Sequence, residues 1–173
     1  MIMPRGADQL LLPVNPLFIV ASLLFALGFN LIPFGRQAVL PDMLALVLVF
    51  WNVHQPLRVG IGLAFLLGLL MDVHQGALFG QHALAYTMLS FLAVTMHRRL
   101  LWFSVLEQAL QVLPLFVAAH AVSLAVRLVS GGHFPGWQLL MAPVFEALLW
   151  PLAVWVLLAP QRRAPDPDEN RPL

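Results

Sequence analysis

Asp72, His74 and His82 sit together in "GLLMDVHQGALFGQHALAY" (residues 68–86), between two apolar runs. A carboxylate flanked by imidazoles is the raw material of a metal site, an acid–base pair or a polar packing joint. The spacing argues against a metal. Zinc-binding histidines on one helix recur every three or four residues, with a third ligand close by, whereas His74 and His82 are separated by Gly76 and Gly80. Two readings of Asp72 stay open. It caps the turn that follows by accepting backbone N–H groups, or it meets a partner or ligand.

A second set lies farther along. Glu146 falls inside an apolar run, about eight residues from its start and so about 12 Å deep at 1.5 Å per residue. His120 lies at a similar depth in the preceding run, and Arg127 lies nearer the same membrane surface. An ionisable side chain inside a membrane is costly unless paired. The expected buried polar pair is therefore His120–Glu146, with Arg127 as a second candidate partner. It reads equally as a functional site and as a polar clamp between two helices. Glu107 is expected to form a solvated pair with Arg98 or Arg99.

Signatures of catalysis are missing. The chain has no "HExxH" and no hydrolase elbow, and with no lysine it cannot hold a phosphate-binding "GxxxxGK[ST]" loop. Asp42 and Asp72 lack the flanking pattern of a paired-aspartate intramembrane protease. With no cysteine there is no disulfide framework. The expectation is a protein without enzymatic activity, cofactor or metal.

The elements that must position these residues follow from composition. Of 173 residues 61% are hydrophobic and 10% charged, against about 25% charged in soluble domains. So few charges cannot coat a water-facing surface, and the chain reads as an all-α polytopic membrane protein. A span needs about 20 apolar residues. Six segments qualify, near 14–32, 39–53, 57–72, 78–96, 103–129 and 137–158. The second is the shortest. The first lacks a cleavage pattern and is read as a retained span. Residues 1–159 then form one membrane domain, and the proline-rich charged tail 160–173 is expected to be disordered.

Gly60, Ala64 and Gly68 recur every fourth residue and predict a small-residue helix-packing face, with Asp72 next in register. Arginine placement sets the orientation, since cytoplasmic loops collect positive charge. Six spans with a cytoplasmic N-terminus put Arg5, Arg58, Arg98, Arg99, Arg162, Arg163 and Arg171 inside, and Arg36 and Arg127 outside. Five spans with the N-terminus outside give the same split. Either way the C-terminus is cytoplasmic and the 68–86 joint faces outward. Trp51, Trp102 and Trp137 fall at span ends and are expected to anchor at the interface, with Trp150 and Trp155 in the inner half of the last span.

From Leu40 onward the chain resembles the MreD family of bacterial rod shape-determining membrane proteins. Four features carry the resemblance: a short second span ending in Trp51 and Asn52, "P-x-R-V-G" opening the third span, "G-x-x-x-D-x-x-x-G-x-x-x-G-x-x-A-L-A-Y" and "EALLWPLAV". Asp72, Gly76, Gly80 and Tyr86 match the joint and become candidate partner or ligand contacts. The resemblance implies a non-enzymatic inner-membrane subunit of the cell-elongation machinery (the elongasome). It would bind MreC beside RodA, a class B penicillin-binding protein and MreB, and help regulate lateral peptidoglycan synthesis. It also implies a six-helix bundle like the S-components of vitamin transporters. The alternative is therefore a subunit that binds a small ligand or membrane lipid.

Overall fold

In a computed structural model, residues 14–32 and 40–162 are described. They form six α-helices: α1 (Pro16–Leu31), α2 (Met43–His54), α3 (Ile61–Gln75), α4 (Gln81–Leu100), α5 (Val105–Val129) and α6 (Met141–Leu158). A single 3-10 turn, Trp137–Leu140, leads into α6. Residues 33–39, the assignments of Arg5, Arg36, Arg163 and Arg171, and the tail from 163 lie outside the described residues. Ala159–Gln161 adds a turn to α6, and Gln161 is buried with its amide donating to the Leu157 carbonyl.

Local chemistry sets the helix ends. Asn15 caps α1, its side chain accepting from Leu17 N at 2.9 Å, with Pro16 in the first turn where its missing N–H costs nothing. Ser104 and Glu107 form a reciprocal capping box at the start of α5. Glu107 is thus engaged at its own helix terminus, and not with Arg98 or Arg99 as expected. α3 begins at Ile61 rather than Leu57, because Gln55–Gly60 is used as a turn, with the Arg58 and Val59 N–H groups bonded to the Gln55 carbonyl.

The short helix α2 is the centre of the bundle. Leu44 and Leu48 through Val53 are all buried, and α2 packs on α1, α4 and α6. A helix apolar all round belongs in a core, which explains a second segment that is both short and uniformly oily. Trp51 is fully buried and donates its indole N–H to Ser22 of α1 at 2.9 Å. It is a core residue, not the interfacial anchor expected. Asn52 donates to Ser90 of α4 at 2.8 Å. Trp102 and Trp137 are exposed, Trp150 is buried with its N–H on Gln108, and Trp155 is exposed.

The helices alternate in direction. Arg58, at the α2–α3 turn, donates to the Val14 carbonyl before α1 at 2.7 Å, tying those ends together. α3 lies along α4, with Ala64 and Gly68 buried against it. A Cβ added to Gly68 would stand 2.7 Å from Ala83 N and from the His82 carbonyl oxygen, inside contact distance. Gly60 does not share that face, contrary to the expected stripe. It is the N-cap of α3, and a Cβ there would meet nothing within 4 Å.

Overpacking a close contact destabilises by about 1–3 kcal/mol. Gly68→Val is therefore expected to lower the thermal denaturation midpoint of the purified protein in detergent. Gly62→Ala, whose new Cβ meets nothing, should leave that midpoint unchanged or raise it.

Candidate functional site

Two polar clusters lie at one end of the bundle, where α1, α3 and α5 finish and α2, α4 and α6 begin. The first is built on Asp72. Gly76 ends α3 in the left-handed conformation (φ 58°), with its N–H and that of Ala77 returning to the last turn of the helix. This glycine ending needs φ > 0, which side chains resist. Gly80 (φ 101°) then starts α4. Asp72 is fully buried between them. Its oxygens accept from the N–H groups of Gly80 (2.8 Å), His82 (2.7 Å) and Ala83 (3.4 Å), and from the His82 ring at 2.9 Å. One carboxylate thus serves the unpaired donors of a neighbouring helix's first turn, where negative charge is favoured.

The second cluster is built on Asp42, the N-cap of α2. Asp42 Oδ1 accepts from Ala45 N at 2.9 Å and from the Asn30 amide of α1 at 2.6 Å, while Oδ2 accepts the Tyr86 hydroxyl of α4 at 2.5 Å. The Asn30 carbonyl oxygen in turn accepts Met43 N. Glu146 Oε1 of α6 accepts both the Asp42 N–H and the His120 ring N–H of α5, each at 2.9 Å. Five helices therefore meet at the start of α2.

The structure brings His120 and Glu146 together. Arg127 makes no ion pair with Glu146, and among the described residues the acid–base side-chain contacts are His82–Asp72 and His120–Glu146. Tyr86 and Asp72 are 2% and 1% exposed, so both side chains are turned into the bundle, Tyr86 towards the start of α2 and Asp72 towards the start of α4. Gly76 is exposed, and the large side chains that the joint presents outward are Leu78 and Phe79. His74 and His82 do not converge on a common ligand. Among the described residues no three His, Asp or Glu side chains are grouped to hold a metal ion.

Asn30 and Asp42 were not singled out as site residues in the sequence. The signal for Asp42 was its position before an apolar run in "LPDMLALVLVF", the pattern of a helix N-cap. Asn30 had no local signal, because its partners lie on another helix.

Above α2 the bundle opens into a cavity of about 1000 Å³. Its wall includes Asn30, Asp42, His74, Gln81, His120 and Arg127. A smaller chamber of about 50 Å³ reaches Glu146 and Tyr86, and Asp42, His82, His120 and Ser123 line both spaces.

The chain matches the family described as rod shape-determining protein MreD over residues 12–159. It belongs to that family. It is similar to the rod shape-determining protein MreD of Haemophilus influenzae, with 33% identity over 130 residues, covering 73% of this chain and 76% of the relative. No solved structure matches the chain. Family membership agrees with the helices: α5 and the segment Trp137–Gln161 are long and apolar enough to cross a membrane, and α1, α2 and α3 are shorter apolar helices.

Removing the Asp72 carboxylate strands buried donors at about 1–3 kcal/mol and deletes a helix cap of about 1 kcal/mol. Asp72→Ala should therefore lower unfolding stability in detergent by at least about 2 kcal/mol. For the second cluster, a double-mutant cycle with His120→Asn and Glu146→Gln should give a coupling above about 0.5 kcal/mol, the threshold for residues in contact. Additive effects would mean that the pair is not formed.

Proposed function

We propose that the protein is a six-span, non-enzymatic scaffold of the bacterial inner membrane that binds MreC and helps regulate lateral peptidoglycan synthesis and cell shape. The observation that carries this reading is the family match across nearly the whole helical domain. The chain passes through the membrane six times in this reading, as an S-component-like bundle, with the short α2 recessed inside it and shielded from lipid by its neighbours. RodA, a class B penicillin-binding protein and MreB share the assembly.

The arginines support the orientation. Arg58, Arg98, Arg99 and Arg162 gather at one end of the bundle, and Arg127 lies at the other, beside the cavity. By the positive-inside rule the first end is cytoplasmic, and both polar clusters are periplasmic. Contact with MreC then runs through what the joint exposes, Leu78 and Phe79 around Gly76 and Gly80, with Asp72 and Tyr86 holding that surface in place from within.

Two measurements test this. The chain has no cysteine, so single cysteines report topology cleanly. Phe79→Cys should react with a membrane-impermeant maleimide in spheroplasts, and Trp102→Cys only after lysis; the reverse pattern inverts the orientation. A photocrosslinker at Phe79 in cells should capture MreC. If neither crosslinking nor native-membrane purification recovers MreC, the proposed partnership is wrong.

A further inference from the structure

The small chamber beside Glu146 contains an unanswered acceptor. Glu146 has no exposed side-chain surface. Its Oε1 accepts two hydrogen bonds, yet Oε2 is buried and has no partner among the described residues. A buried acceptor left unmade costs about 1–3 kcal/mol, so the chamber is short of a donor. Asp42 faces the same space, with Tyr86, Ser123, His82 and His120 completing its wall. Two carboxylates and the rings of His82 and His120 thus line one space, with no arginine paired to either acid among the described residues and no lysine in the chain. The N-terminus of α2 offsets part of that charge, but its N–H groups point at Asp42 and at Glu146 Oε1 and leave Oε2 alone.

We propose that this chamber binds the head of a primary ammonium compound, and that the wider cavity holds the rest of the molecule with an anionic group near Arg127. Donor chemistry selects the head. An ammonium brings three donors and a positive charge to the unanswered Glu146 Oε2. A trimethylammonium carries the charge but offers no donor. The four wall residues shared with the cavity provide continuity to the bundle surface. Arg127 lines that cavity, which suits a phosphate or carboxylate attached to the amine. The ligand class is therefore a zwitterion with a primary ammonium, either a free metabolite or the head of an aminophospholipid.

The full chain in phosphatidylglycerol nanodiscs would be titrated with ethanolamine, phosphoethanolamine and phosphocholine, following thermal stability. A second set of nanodiscs would carry phosphatidylethanolamine or phosphatidylcholine, with retained lipid read by native mass spectrometry. Saturable stabilisation by the primary amines but not by phosphocholine is expected if the ligand is free. Selective retention of phosphatidylethanolamine with no effect of free amines identifies the lipid head. Arg127→Gln should weaken phosphoethanolamine more than ethanolamine, and Glu146→Gln should weaken both at least about tenfold, as loss of a charge-assisted contact does. The absence of both a saturable response to the free primary amines and selective retention of phosphatidylethanolamine, or an equal response to the quaternary analogues, overturns the proposal and leaves water as the occupant. These comparisons use the unaltered chain, so they decide the matter even if Glu146→Gln does not fold.

Discussion

A helix that starts inside a protein must find partners for its first N–H groups without the help of bulk water. α2 is such a helix. At about 1.5 Å per residue its 12 residues rise about 18 Å, well short of the roughly 30 Å hydrocarbon core of a bilayer. Buried at the centre, it begins below the end of the bundle. The polar groups of Asp42, Asn30, Glu146, His120 and Tyr86 are the answer to that recessed terminus. The same shortness leaves the space above it, so the network and the cavity have one cause.

The Asp72 joint solves the equivalent problem for α4 by another route. There the helix start lies close to its predecessor, separated by a turn built on two glycines with positive φ. A carboxylate in the last turn of α3 can therefore reach across to the first turn of α4. The close approach of Gly68 to the Ala83 backbone makes this reach short. Packing and capping are consequently one arrangement: widening the α3–α4 contact would draw Asp72 away from the donors that it serves.

Both carboxylate clusters share a logic suited to a membrane. Each buried acid takes donors from an element other than its own, so its burial depends on their arrangement and reinforces it. The exception is Glu146 Oε2, which has no such donor among the described residues. Asn52 Oδ1 and Gln111 Oε1 are also buried without a partner among the described residues, but Glu146 is the one acid of the three and the one that lines the chamber. His120 and Glu146 serve twice, since the same pair that ties α5 to α6 also lines the chamber.

Much of the architecture was legible in the residues themselves. The apolar runs, the scarcity of charge and the turn-forming glycines depend on local chemistry, and they separate the helices without knowledge of any contact. The pairing of His120 with Glu146 followed from depth along adjacent antiparallel segments. Other features depended on which faces meet. Trp51 looked like an interfacial anchor because its place at a helix end is local information, whereas Phe18 and Ser22, which meet its ring, come from α1. Gly60 shared the four-residue spacing of Ala64 and Gly68, but the helix starts one residue too late to include it. Asn30 and Asp42 join Glu146 and Tyr86 only in three dimensions, more than a hundred residues apart at the extreme. Sequence alone determined that this chain is helical, apolar and punctuated by an acid at a glycine joint, because each of those rests on neighbouring residues. Only the tertiary structure decided that α2 is central and that its recessed end gathers five helices around a cavity, because burial and hydrogen bonding there are set by helices distant in the chain.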